Sequence, residues 1–284
     1  MIQLTHQMTY RKVVSEMAIA RDKFWMFGVR SHQDDILLGK IGRRSRITPA
    51  EGAFMLDVPN MLFINCDGEP VPFSQDAYGY AESFVRMDKV LWGATGSGGF
   101  RVGNEESFIC DLAEKYPNIG GAFLDDLFHR FRGDPNSDRK MKDFLHGIRE
   151  GLDKACRPMD LYIVWYTSEI DSLPTEAVED VDGITLWTYN CKELPLLEGR
   201  VEAFRQKFPD KKMMLGIYML DFPSGIALSD DQMEKQCEFG LRMLREGKLD
   251  GMIFEANSVM GVGLTSEKWL RSWIDKVKYT EIPD

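Results

Sequence analysis

The chain has 284 residues, 44% of them hydrophobic and 28% charged, and its 35 basic and 45 acidic side chains leave a net charge of -10. That length suits one large domain or two small ones, and the balance is that of a globular protein whose core needs no disulfide or metal staple. Acidic surfaces repel phosphate, which excludes nucleic acid and anionic membrane as main partners, and no run reaches the roughly 18 consecutive apolar residues of a membrane span.

The N-terminal stretch MIQLTHQMTYRKVVSEM has no continuous apolar core and no cleavage site, so it does not read as a secretory signal. Strand-length apolar runs then recur along the chain: KFWMFGVR (23–30), MLFINC (61–66), KVLWGAT (89–95), IGGAFLD (119–125), LYIVWYT (161–167), DGITLWTY (182–189), KMMLGIYML (212–220) and DGMIFEAN (250–257). They are near-continuously hydrophobic rather than alternating, as expected of parallel strands covered on both faces. Helical stretches lie between them. Residues 48–59 open on Thr48, Pro49 and Glu51, a cap, a first-turn proline and a capping-box acid. Residues 74–87, 104–116 and 136–155 follow the next three strands, and only a short turn near 174–180 follows the fifth. Residues 193–208, 229–248 and 265–277 complete the set.

Eight strand-then-helix units in one chain of this length predict an α/β fold, the TIM (β/α)8 barrel. A doubly wound open sheet is the rival, but its first strand opens a glycine-rich phosphate turn, and here the first strand ends GVRSHQDD. The expected organisation is a single barrel over 23–284, with residues 1–22 as an extension or cover over its bottom. Five scattered cysteines without C-x-x-C spacing read as isolated core thiols in a reducing compartment. The sequence as it stands reads as cytoplasmic, or as periplasmic or secreted if a signal peptide has been removed.

A barrel of this kind carries its chemistry at the C-terminal ends of its strands. The first strand brings Arg30, His32, Asp34 and Asp35 there. The third brings Trp92 and the loop GATGSGGF, read as a lining of the mouth. The fourth brings Asp125 and Asp126, the fifth Tyr166 and Glu169, the sixth Trp187 and Tyr189, the seventh Tyr218 and Asp221, and the eighth Glu255 and Asn257. With four histidines in the chain and no H-x-H after the first strand, a histidine-rich metal site is not expected. No lysine ends the sixth strand, which disfavours a Schiff base, and no G-x-S-x-G elbow is present. Carboxylates among tryptophans and tyrosines suit carbohydrate: sugar C–H faces stack on rings, carboxylates and amides bond hydroxyls, and glycosidic cleavage needs two flanking carboxyl groups.

The run GAFLD, ending on Asp125, resembles the fourth-strand motif of several TIM-barrel glycoside hydrolases, and the eightfold layout resembles a bacterial group of glycoside-hydrolase-like barrels. The resemblance implies that Asp125 is the nucleophile or an electrostatic stabiliser. It names no partner; Glu169, Asp221 and Glu255 are the candidates, and the Asn-Glu pair of the best-known retaining arrangement is not matched on the fourth strand. Strand alternation predicts that only one of Asp125 and Asp126 faces substrate, the other pairing with a neighbour or capping the following turn and so holding it in place; the resemblance implies that Asp125 is the one pointing in. Alternatively, both pair with Arg130 and Arg132. Glu255 is either functional or paired with Arg30, Asp221 and Glu169 can instead begin turns, and His32 can act in proton transfer or hydroxyl binding.

The expected function is cleavage of a glycosidic bond, with Arg30, His32, Trp92, Tyr166, Trp187, Tyr189, Tyr218 and Asn257 as substrate-binding residues. No cofactor and no metal is required. The partner is a small-molecule or oligosaccharide substrate, and oligomeric state is left open. The alternatives are a divalent-metal-assisted lyase or isomerase, with Asp34, Asp35, Asp125 and Asp126 around the cation, and a non-catalytic sugar-binding barrel.

Overall fold

The structure is a computed structural model that describes residues 17–31 and 42–283. Eight parallel strands close into a barrel: β1 (Phe24–Gly28), β2 (Asn60–Phe63), β3 (Lys89–Thr95), β4 (Ile119–Leu124), β5 (Asp160–Tyr166), β6 (Gly183–Trp187), β7 (Lys212–Tyr218) and β8 (Gly251–Glu255). Each pairs with its neighbour in sequence order, and β8 returns to β1 through the register Phe254 to Met26 and Glu255 to Phe27. Each of the eight apolar runs coincides with one of these strands to within a residue at its start or a few at its end. They are apolar throughout because both faces are buried. Trp25, Phe27, Leu62, Leu91, Phe123, Tyr162, Val164 and Ile253 fill the interior, while Phe24, Met26, Phe63, Trp92, Leu124 and Phe254 meet the helices outside.

Seven α-helices surround the barrel among the described residues: α1 (Pro49–Leu56), α2 (Gln75–Ser83), α3 (Glu105–Lys115), α4 (Ser137–Leu152), α5 (Leu197–Lys207), α6 (Asp230–Arg245) and α7 (Thr265–Val277). The capping box that opens α1 forms as the sequence suggests. Thr48 Oγ1 accepts from the Glu51 N–H at 3.3 Å, and Glu51 Oε2 accepts from the Thr48 N–H at 2.8 Å. After β5 the helix position is taken by two short 3-10 turns, Thr167–Ser172 and Thr175–Val178. No helix among the described residues is long and apolar enough to cross a membrane.

Below the barrel, Met17–Ile19 pairs antiparallel with Glu281–Pro283, and the Ala20 N–H donates to the Thr280 carbonyl at 2.8 Å. The segment leading into β1 is thereby tied to the residues that follow α7. The cysteines are less uniform than a set of core thiols: Cys66 and Cys237 are buried, Cys110 and Cys191 are half-buried and Cys156 is exposed.

Large rings inside a narrow barrel require small neighbours. A Cβ on Gly216 would stand 2.0 Å from the Trp187 ring, so only glycine lets that indole occupy the interior. Gly216→Ala therefore overpacks the core, and we expect a loss of about 1–3 kcal/mol in stability, read as a lowered midpoint in urea unfolding. An unchanged midpoint would mean that the indole moves aside without strain.

Candidate active site

β4 ends at Leu124, which faces the helices. Asp125 continues the alternation inward and is buried at the barrel mouth. Its backbone is clipped to the end of β3: its N–H donates to the Thr95 carbonyl at 3.3 Å, and the Asp125 carbonyl accepts from Thr95 Oγ1 at 2.7 Å. Regular alternation would turn Asp126 away. Instead Asp126 has φ 44° and ψ 31°, the left-handed region that aspartate tolerates better than most residues. The chain swings into the turn Leu127–Arg130, and both carboxylates border one cavity. The expectation of one inward aspartate is corrected here, because alternation stops with the strand.

Asp126 is held from two sides. Its Oδ1 accepts from the Tyr166 hydroxyl at 2.9 Å, and its Oδ2 accepts from the Gly98 N–H at 3.0 Å. Gly98 has φ 65°, a conformation that glycine adopts without steric cost. The glycine-rich loop after β3 thus serves the mouth through a backbone N–H. His129 Nδ1 lies 3.7 Å from Asp126 Oδ2. Arg130 and Arg132, the alternative partners for the aspartates, are engaged elsewhere. Arg130 donates to the Gly99 carbonyl at 2.6 Å, and Arg132 lies 3.9 Å from Glu169 Oε1.

Glu255 closes β8, four strands round from β4 and so on the opposite side of the barrel. Its side chain borders the same cavity, whose volume is about 170 Å³. The Glu255–Ala256 peptide is cis. Tyr166, Trp187, Tyr189 and Tyr218 form the aromatic walls. Trp187 is buried, donates from Nε1 to Thr185 Oγ1 at 2.8 Å and meets Phe27 edge to face at 5.5 Å. Tyr189 stands at the opening, 47% exposed, edge-on to both Tyr166 and Tyr218.

The crowding has electrostatic consequences. Burial, then the charges of Asp126 and Asp125, the hydrogen bond to Asp126 and the charge of Glu255 push the Tyr166 hydroxyl far above the ordinary tyrosine value. Burial, then Glu255, Tyr166, Asp125 and Asp126, do the same to Tyr218. Both phenols therefore stay protonated at physiological pH, and that of Tyr166 donates to Asp126.

Other sequence-predicted residues lie elsewhere. Trp92 faces outward and packs on Phe63 at 4.9 Å and Phe108 at 5.7 Å between barrel and helices, because Leu91 takes the inward position. Asn257 is buried with its amide engaged by backbone. Its Oδ1 accepts from the Val29 N–H at 2.8 Å, and its Nδ2 donates to the carbonyls of Val29 at 3.0 Å and Ile47 at 2.8 Å. Asp221 organises a turn. Its Oδ1 accepts from the Cys191 N–H and its Oδ2 from the Ser224 N–H, both at 3.1 Å. Burial opposes ionisation there, but the Ser224 and Cys191 donors hold its carboxyl below the usual range. Arg30, the alternative partner for Glu255, pairs with Glu69 at 3.3 Å and Asp76 at 3.5 Å. Glu169 lies in an outer groove beside the mouth. His32, Asp34 and Asp35 lie outside the described residues. Among the described residues no group of three or more His, Cys, Asp or Glu side chains is placed to hold a metal ion.

Ser97, Cys66 and Phe222 also border the cavity and escaped the sequence reading. Cys66 carried a signal, since inward positions two apart run Leu62, Ile64, Cys66. Ser97 sits within the glycine-rich loop already expected at the mouth.

Fold and site together define a (β/α)8 barrel with carboxylates and aromatic rings around its C-terminal mouth. Solved structures with this fold include a GH99 endo-alpha-mannosidase from Bacteroides thetaiotaomicron, at 11% identity and TM-score 0.53, over 90% of this chain and 97% of that one. Domain 2 of a thermostable chitinase from Pyrococcus furiosus matches at 10% identity and TM-score 0.52, over 93% and 98%. The PgaB (BpsB) glycoside hydrolase domain from Bordetella bronchiseptica matches at 10% identity and TM-score 0.50, over 87% and 97%. At such identities the likeness is one of fold. No protein-family profile matches the chain, and no curated protein matches it in sequence.

Proposed function

We propose that this protein is a glycoside hydrolase whose reaction centre is the cavity bordered by Asp125, Asp126 and Glu255. The observation that carries the reading is the opposition of Glu255 on one side of the mouth to the aspartate pair on the other, around a space walled by tyrosines and tryptophan. Hydrolysis of a glycosidic bond needs two carboxyl groups flanking it. Carboxyl groups crowded at one site separate in proton affinity, which supplies an acid and a base from one residue type.

Both oxygens of Asp126 accept hydrogen bonds, so it acts as a carboxylate, facing the anomeric carbon as positive charge develops there. Glu255, across the cavity, donates the proton with which the glycosidic oxygen departs. Water supplies the new anomeric hydroxyl, and its other proton returns to a carboxylate. Asp125 adds negative charge beside Asp126, and Trp187, Tyr189 and Tyr218 pack against the sugar ring. The TIM-barrel hydrolases among the similar folds support this reading at the level of architecture.

The test is incubation with a panel of α- and β-linked gluco-, manno- and chito-oligosaccharides and their nitrophenyl glycosides, with products followed by chromatography. The reading expects cleavage of at least one substrate and its loss in Asp125→Asn. Saturable sugar binding in calorimetry with no product from any panel member would instead mark a binding barrel.

A further inference from the structure

The central cavity is small. At about 170 Å³ it falls below the roughly 300–1,000 Å³ of sites that enclose a ligand of drug size. A second hollow of about 390 Å³ adjoins it, and Asp126, Tyr166 and Tyr189 border both. The second hollow runs outward over the ends of β4 and β5 to Phe128, Arg132 and Glu169.

Its chemistry suits a neutral polyhydroxylated ring. Phe128 supplies an aromatic surface, held edge to face against Tyr166 at 5.8 Å. His129 leans on Phe128 at 4.1 Å with the rings tilted by 31°, and the Arg132 guanidinium lies 5.7 Å over the same ring. Arg132 and Glu169 approach at 3.9 Å, with the arginine side chain 67% exposed. A pair that far apart with its arginine exposed contributes little to stability, so both groups can exchange each other for sugar hydroxyls at small cost. Positive and negative groups occur together, which fits hydroxyl recognition better than capture of a charged sugar.

We propose that this hollow is a second sugar subsite, contiguous with the reaction centre. The substrate is then an oligosaccharide with a ring seated on Phe128, Arg132 and Glu169 next to the ring in the central cavity. Glu169, one of the carboxylates singled out in the sequence, becomes a specificity residue rather than a catalytic one. The inference rests on the glycoside hydrolase reading for its chemistry but not for its binding.

The experiment measures binding and turnover separately along a series of one to five sugar residues. The probes are neutral gluco-, manno- and chito-oligosaccharides, with calorimetry on Glu255→Gln and hydrolysis on the parent protein. Affinity is expected to rise roughly tenfold as the chain grows to reach the second hollow, about the net worth of one hydrogen bond. In Glu255→Gln carrying Arg132→Ala or Glu169→Gln, that gain is expected to shrink to about twofold or less. In the parent background the same changes raise KM for the longer chains more than they lower kcat. Arg132 is exposed and Glu169 half-buried in the Thr167–Ser172 turn, and an unchanged thermal midpoint excludes a folding defect. A chain-length gain that survives both substitutions, or no gain in the unsubstituted background, overturns the proposal. Binding that rises with chain length without any hydrolysis supports the subsite and sinks the hydrolase reading. Hydrolysis of short glycosides with no chain-length gain does the reverse.

Discussion

Asp126→Asn is expected to lower kcat by roughly 10²–10⁴-fold while leaving the fold intact. The carboxylate accepts from two donors, the Tyr166 hydroxyl and the Gly98 N–H. An asparagine amide has one acceptor oxygen. The Gly98 N–H can only donate, so the amide oxygen must turn to it. The Tyr166 hydroxyl can rotate and accept from the amide nitrogen. Both contacts survive in altered form, and the urea midpoint should move little. What disappears is the negative charge beside the anomeric carbon. Tyr166→Phe removes one donor but keeps the charge, and its effect on kcat should be much smaller. If Asp126→Asn turns over substrate within about twofold of the parent, the assignment of Asp126 fails.

Glu255→Gln carries the second large effect, and the leaving group decides its size. An unactivated sugar departs poorly as an alkoxide and needs the proton, so a loss of roughly 10²–10⁴-fold is expected on an oligosaccharide. Nitrophenolate departs without a proton. On a nitrophenyl glycoside the same variant should retain most of its activity, whereas Asp126→Asn should lose activity on both substrates. Comparing kcat/KM for the two substrates in the two variants checks this directly. Equal losses on both substrates in Glu255→Gln would remove the glutamate from the acid role.

The barrel was legible in the sequence because two-sided burial writes each parallel strand as a continuous apolar run, and caps such as Thr48 mark the helix starts between them. The same two-sided burial hid the facing of individual residues. Trp92 and Trp187 both stand in apolar strands, yet Trp92 packs against helices and Trp187 enters the interior. Only parity relative to the barrel axis separates them, and a strand without polar alternation does not display its parity. The direction of Asp126 was hidden for a different reason. Its inward direction comes from a positive φ just past the strand, which no periodic pattern encodes. Asn257 looked like a ligand amide because its carbonyl and N–H partners lie in the loop after β1, far away along the chain. The position of Glu255 at the mouth was readable because it is the one carboxylate of its apolar run after the opening Asp250, and a carboxylate there requires compensation.

Product mass tests the central claim most directly. An oligosaccharide from the panel is digested with the parent protein and with Asp126→Asn, and intact products are weighed by mass spectrometry. Hydrolysis at this mouth predicts two saturated fragments whose masses together exceed the substrate by one water, formed by the parent and suppressed in the variant. Fragments whose masses merely add up to the substrate, one of them unsaturated, would reveal an elimination and contradict the account.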